Sequence, residues 1–245
     1  MPSILVAGEA LMDCIPLPDD AFRPIVGGSP FNVAVAAARL GRPATGVGFM
    51  SGISTDFFGD RLMRALHAEA IDTTWVARLN APTTLAFVDL SGPSPRYAFY
   101  DEKSATRSFT THAIPALPDA ARFVHVGSVS LIGAPGADEI ARMAHDAASA
   151  GRVISVDPNV RASLVVNDHA WRARLDGLIG IAAVVKLSDE DLEALEPGMA
   201  PSDFAARTLA GGASLVIVTG GGSGAEAWTP DRKSTRLNSS HLGIS

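Results

Sequence analysis

The sequence predicts an α/β fold: a mostly parallel sheet covered by helices on both faces, with a small antiparallel β lid attached. Three observations predict it. Short valine- and isoleucine-rich runs bounded by glycine alternate with helical periodicity along most of the chain, as in βαβ units with buried strands. That alternation lapses between residues 73 and 100, where three β-rich segments follow one another without helices, the pattern of a hairpin-based sheet. Finally, Gly27-Gly28-Ser29-Pro30 runs directly into a helical segment, and glycines without Cβ atoms let the backbone approach a ligand closely.

Composition narrows the class. A chain of 245 residues with 47% hydrophobic content can bury a core as one large α/β domain or two small ones. No uninterrupted apolar run reaches the length of a membrane span, and the N-terminus lacks the basic start of a signal peptide, so a cytoplasmic protein is expected. Cys14 is the single cysteine, which rules out an internal disulfide and argues against a cysteine-based zinc site. A net charge of −6 gives no electrostatic reason to expect nucleic acid or an anionic membrane as partner, so a small-molecule ligand is expected.

In chain order, 3–8 reads as a buried strand ending in glycine, and Asp13 sits just beyond it. Ligands in open α/β sheets bind outside the carboxyl ends of the strands, where Asp13 and the glycine loop can meet. The alternative for Asp13 is an exposed turn carboxylate. Residues 14–26, with three prolines, read as an extended excursion. In the helix after the glycine loop, Ser29 is expected as N-cap, Pro30 in the first turn and Gly41 as left-handed C-cap. Asn32 brings a donor and an acceptor to that first turn. A strand at 44–49 and a helix at 57–70 follow, with Asp56 as its expected cap. The β-rich segments at 73–76, 83–90 and 96–100 make the lid, the last two joined by the turn at 91–95. Alternation then resumes: strands at 123–126, 153–156, 183–187 and 214–218, helices at 137–150, 169–179, 189–195 and 201–210. Residues 231–245 show no clear period and many small polar residues. They resemble translated adapter or vector sequence and are set apart from the domain at 1–230.

Three further constellations fall at predicted strand ends: Asp157-Pro158-Asn159-Val160-Arg161, Lys186-Leu187-Ser188-Asp189-Glu190-Asp191 and Thr219-Gly220-Gly221-Gly222-Ser223-Gly224. Brought together, they offer an arginine for phosphate oxygens, carboxylates for a hydrated magnesium ion and a glycine loop whose N–H groups can face a nucleotide. Taken singly, they are also ordinary turn chemistry, an acidic helix start and a hairpin turn.

With Gly-Glu-Ala-Leu-Met-Asp at 8–13 and Gly-Gly-x-x-x-Asn at 27–32, these motifs stand in an order that resembles the ribokinase-like (pfkB-type) carbohydrate kinases, most closely fructokinases. The resemblance runs from about residue 4 to 228. It implies a doubly wound α/β sheet with lid strands near 9–26 and 83–101, and transfer of the ATP γ-phosphoryl to a sugar hydroxyl with Mg²⁺. It implies sugar contacts from Asp13, Gly27, Gly28 and Asn32, with Phe99 of the lid closing over the ring, and Arg161 facing the transferring phosphate. Ser188 and Asp191 fall where the family has an Asn-x-x-Glu motif that organises magnesium through water, and Glu190 competes with Asp191 for that role. Thr219, Gly221 and Gly224 match the family's Thr-x-Gly-x-x-Gly nucleotide loop. The catalytic base of the family lies in a C-terminal Gly-Ala-Gly-Asp segment that has no match after Thr219. The chain is therefore expected to be the N-terminal part of a sugar kinase, inactive or nearly so alone. Gly133-Ala134-Pro135-Gly136-Ala137-Asp138 lies between the wrong strands to supply that base. Homodimers occur in parts of the family.

Two other readings remain at this level. One is a sugar-binding or regulatory module of the same fold, or a kinase for ribose or 2-keto-3-deoxygluconate. The other, a dinucleotide-binding oxidoreductase, rests on Gly-x-Gly-x-x-Ala at 220–225, which lacks the following helix such a site needs.

Overall fold

A computed structural model describes residues 1–41, 46–92, 96–165 and 167–237. The N-terminal part runs β1 (Ile4–Ala7), β2 (Leu11–Pro16), β3 (Phe22–Gly27), α1 (Ser29–Leu40), β4 (Val47–Ser54), α2 (Phe57–Ala68), β5 (Asp72–Leu79), β6 (Leu85–Asp89) and β7 (Arg96–Tyr100). The remainder runs β8 (Phe123–Gly127), α3 (Gly136–Ser149), β9 (Val153–Asp157), α4 (Asp168–Ile181), β10 (Val184–Ser188), α5 (Asp189–Leu195), α6 (Pro201–Ala210), β11 (Leu215–Thr219), β12 (Ala225–Thr229) and β13 (Arg232–Leu237).

The large sheet has nine strands in the order β13-β12-β11-β10-β9-β8-β1-β4-β5. The strands from β11 to β5 run parallel, and β12 and β13 add an antiparallel edge. Strand order reverses between β1 and β8. In a doubly wound sheet such a switch point opens a crevice at the carboxyl ends, because the two chain directions leave toward opposite faces. A smaller sheet, β3-β2-β6-β7, forms the lid. Its pairs are antiparallel except β2 with β6, which run parallel.

Two apolar clusters hold the helices to the sheet. Val6, Phe49 and Ile53 pack with Phe31 and Ala34 of α1 and with Leu62 and Leu66 of α2 on one face. On the other, Leu5, Val126, Ile154, Val185 and Val216 pack with Ile140 of α3, Leu175 of α4, Leu192 of α5 and Phe204 of α6.

Several local expectations are corrected. Residues 72–79 are an edge strand of the large sheet and not a lid segment, because Trp75 and Ala77 are buried in the main core and pair in register with β4. Ser29 does not cap α1: the cap is Gly28 at φ 110, a conformation glycine tolerates, and its carbonyl accepts the Asn32 N–H at 2.9 Å. Gly41 ends that helix at φ −83 and so is not left-handed. In β10 and β11 every second residue, including Val184, Lys186, Leu215 and Ile217, is only half-buried. Residues 232–237, set apart in the sequence, form β13 on β12, while 238–245 and the turn at 93–95 lie outside the described residues.

Candidate active site

A cleft of ≈ 450 Å³ opens at the switch point, lined among others by Glu9, Asp13, Gly28, Asn32, Phe99 and Arg161. They come from the ends of β1 and β9, from β2 and β7, and from the start of α1. Asp13 lies on β2 with its side chain directly above Gly27: a Cβ on Gly27 would stand 2.0 Å from the Asp13 Oδ2. A Cβ on Gly28 would meet the Glu9 carbonyl oxygen at 2.6 Å. Gly28 is thus required, because backbone occupies the space a Cβ needs and its φ of 110 favours glycine, whereas a side chain at Gly27 would displace the Asp13 carboxylate. Asn32, one turn into α1, is exposed on this wall. Burial raises the Asp13 carboxyl above its ordinary range, and the nearby Arg161 charge opposes that shift.

The lid supplies the roof. Tyr97 and Phe99, two residues apart on β7, point the same way and stack at 5.9 Å between ring centroids. The Arg161 guanidinium sits 5.5 Å from the Tyr97 centroid and donates to the Val160 carbonyl at 2.9 Å. A cation over an aromatic face couples the body of the domain to its lid. Tyr97 went unnoticed in the sequence, although the two-residue period from Phe99 would have found it.

Further along the same edge, Ser188 and Thr219 stand opposite each other in the β10–β11 register. Beyond Thr219 the chain turns tightly, with the Gly220 N–H donating to the Gly224 carbonyl at 2.8 Å. Gly221 and Gly224 take φ values of 51 and 90. A hollow of ≈ 160 Å³ lies beside this turn, bordered by Asp189, Gly220, Ser223 and Gly224. Ser188 and Asp191 form a reciprocal capping box at the start of α5. The buried Asp191 also accepts the Val160 N–H at 2.7 Å, so both of its oxygens are engaged by backbone N–H groups. The Asp191 carboxylate thus ties the Arg161 loop to α5, while the neighbouring Glu190 is exposed.

Among the described residues no group of three or more His, Cys, Asp or Glu side chains is placed to hold a metal ion. The buried Asp157 is bonded to Lys186 Nζ at 3.0 Å through one oxygen, so its charge is already paired. Burial raises its carboxyl, with Lys186 opposing the shift.

Asp56 is a cap, as expected: it accepts the Gly59 N–H at 2.7 Å, and it also accepts the Thr83 hydroxyl at 2.7 Å, fixing the approach to the lid. Asp138 lies in the first turn of α3, paired with Arg174, away from the cleft.

Known proteins are similar along nearly the whole chain. Residues 1–237 match the sequence profile of the pfkB family carbohydrate kinases. A fructokinase of Rhizobium leguminosarum bv. trifolii is 39% identical over 236 residues, covering 95% of this chain and 71% of that protein. An Escherichia coli fructokinase is 32% identical over 190 residues, covering 77% of this chain and 61% of that protein. The solved fructokinase of Xylella fastidiosa with bound ATP superposes with a TM-score of 0.84 at 31% identity, over 96% of this chain and 73% of that one. A Vibrio cholerae O395 fructokinase with fructose, ADP and calcium ion bound superposes with a TM-score of 0.85 at 26% identity, over 97% of this chain and 76% of that one.

Proposed function

The chain belongs to the pfkB family of carbohydrate kinases, and from that premise we propose that it binds fructose at the switch-point cleft for phosphorylation by ATP. The family implies a small-molecule sugar and ATP as co-substrates. One observation carries the site assignment: the Asp13 carboxylate fills the space above Gly27 while Asn32, Phe99 and Arg161 border the same cleft. Asp13 and Asn32 provide the acceptor and the mixed donor–acceptor that vicinal hydroxyls need, and the stacked lid rings cover an apolar sugar face.

Phosphoryl transfer depends on alignment, charge neutralisation and exclusion of water. Arg161, at the junction of cleft and lid, is suited to the transferring phosphate. The Thr219, Gly221 and Gly224 turn is suited to the nucleotide, with Ser188 beside it. Mg²⁺ would be held through water by Glu190 or Asp191, and when bound it would neutralise phosphate charge. The proton acceptor is expected in the family's Gly-Ala-Gly-Asp segment, which the 245 residues do not contain. A cytoplasmic location suits an ATP-dependent enzyme, and the exposed Phe22, Ile25 and Tyr100 of the lid suit a homodimer.

Calorimetry of the purified chain with fructose, ribose and 2-keto-3-deoxygluconate, beside a coupled ATP assay, tests this. Fructose should bind best, with turnover far below the roughly 1–100 s⁻¹ of ordinary kinases. No sugar binding would remove the site assignment; ordinary turnover would show that the base has been misplaced.

A further inference from the structure

Glu9 has no role in the function described above, yet it lines the cleft. It follows Gly8 at the end of β1, is 2% exposed, and accepts the Ser130 N–H at 3.0 Å. It also hydrogen-bonds the Ser128 side chain. Ser128, buried just beyond β8 at the unusual φ of 63, accepts a hydrogen bond from Asn159 Nδ2 at 3.1 Å. Asn159 lies beyond β9 at φ 39, and its carbonyl accepts from Arg161. Glu9, Ser128 and Asn159 all line the sugar cleft.

We propose that Glu9 is a positioning residue for the sugar, acting through Ser128 to set which end of the Asn159 amide faces the cleft. The donor and acceptor inventory dictates how. An ionised Glu9 can only accept, so the single Ser128 proton goes to Glu9, and the Ser128 oxygen must then accept from its other neighbour. This matches the observed bond from Asn159 Nδ2, which leaves the amide oxygen of Asn159 to accept from a sugar hydroxyl. A protonated Glu9 can donate to Ser128 instead, whose proton is then free to turn toward Asn159 and reverse the amide. One proton on Glu9 thus exchanges an acceptor for a donor at the cleft wall. The switch lies in an accessible range, because burial raises the Glu9 carboxyl to about 7 against the opposing hydrogen bonds from Ser128 and Ser130.

The other charged groups nearby are accounted for. Asp13 and Arg161 face the same cleft. On β9, Asp157 is paired with Lys186 of β10. On β8, the His125 ring bonds Ser155, and on α1, Arg39 pairs with Glu69.

This inference rests on the sugar-site reading, and its test separates the two. Fructose affinity of the purified chain is measured by calorimetry from pH 5.5 to 8.5 for wild type, Glu9→Gln and Ser128→Ala, in buffers of different ionisation enthalpy. If binding requires ionised Glu9, wild-type affinity falls about tenfold between pH 8 and 6, and binding near pH 7 releases protons. Glu9→Gln should be flat in pH and close to the wild-type affinity at pH 6. Ser128→Ala keeps the carboxyl but breaks the relay, so it too should lose the pH dependence, and it serves if Glu9→Gln fails to fold. Persistence of the full wild-type pH profile in Ser128→Ala would overturn the relay, as would a flat wild-type profile with Glu9→Gln binding equally well. Absence of fructose binding by wild type at every pH would instead remove the sugar site on which the inference stands.

Discussion

The two halves of the large sheet are built from similar strands and buried differently. Around β1 and β4 the sheet is sandwiched: all eight residues of β4 are buried, alternately against α1 and α2 and against the main core. Across β9, β10 and β11 the burial alternates, with Ile154, Val185 and Val216 inside and Val153, Val184 and Leu215 half-open. The proposed sugar cleft lies beside the sandwiched half, whereas the Thr219–Gly224 turn proposed for the nucleotide lies beside the strands of alternating burial. A strand fixed from both faces has fewer ways to move its tip, so the proposed sugar contacts stand on the more enclosed half.

The sharpest way to break this comparison is in the core. Phe49→Ala, at a fully buried position of the sandwiched half, should cost about 3–5 kcal/mol in denaturant unfolding of the chain, whereas Ile217→Ala on the half-open face should cost about 1–2 kcal/mol. Equal losses would mean that the two halves are equally enclosed.

Next in size is Asp13→Ala, which should weaken fructose binding about 10- to 100-fold in calorimetry, the range for losing hydrogen bonds to a charged group, while ATP affinity stays unchanged. Loss of ATP binding as well would show that the two parts of the site are not separable.

Two buried groups give opposing pH slopes. Glu9, raised from 4.5 to about 7, holds its proton more tightly when folded; its contribution is fully present below about 4.5 and is lost as pH rises through about 7. His125, lowered from 6.5 to about 4 by burial and by Lys186, contributes above its unfolded value and loses that contribution as pH falls toward 4. Between them the wild-type stability should be nearly flat from pH 4.5 to 6.5. In Glu9→Gln the His125 slope should stand alone, with thermal unfolding temperature rising with pH across this window. A variant as flat as wild type would contradict the assignment.

The smallest effect is expected at Gly221→Ala. Its φ of 51 costs an L-residue about 1 kcal/mol, yet no atom lies within 4 Å of the added Cβ. ATP affinity should fall only a few-fold in an equilibrium binding assay, with fructose affinity unchanged.

Much of this architecture was legible in the residues. Period and punctuation predicted the parallel strands and helices after residue 120 to within a few positions, because buried strands and amphipathic helices carry their signals locally. Asp13, Gly27, Gly28 and Asn32 were likewise visible as a motif, and the cleft gathers Asp13, Gly28 and Asn32 while Gly27 leaves room for the carboxylate. Other features carried no such signal. Asp157-Pro158-Asn159 reads as a turn, and only the Ser128 contact gives Asn159 a place in the cleft. Glu9 looks like a strand-end carboxylate until Ser130, far along the chain, donates to it. β5 has the composition of a lid strand, and its membership of the large sheet depends on the partner that Trp75 packs beside.

By itself the sequence determined the alternation of elements, the glycine loop with its required lack of side chains, and the family to which the chain belongs. These are properties of neighbouring residues, written in period, composition and order. The tertiary structure alone decided which strand ends meet, that Asp191 serves the fold through two backbone N–H groups, and that alternate residues of β10 and β11 are only half-buried. Such outcomes depend on contacts between segments tens of residues apart, which local chemistry permits but does not specify.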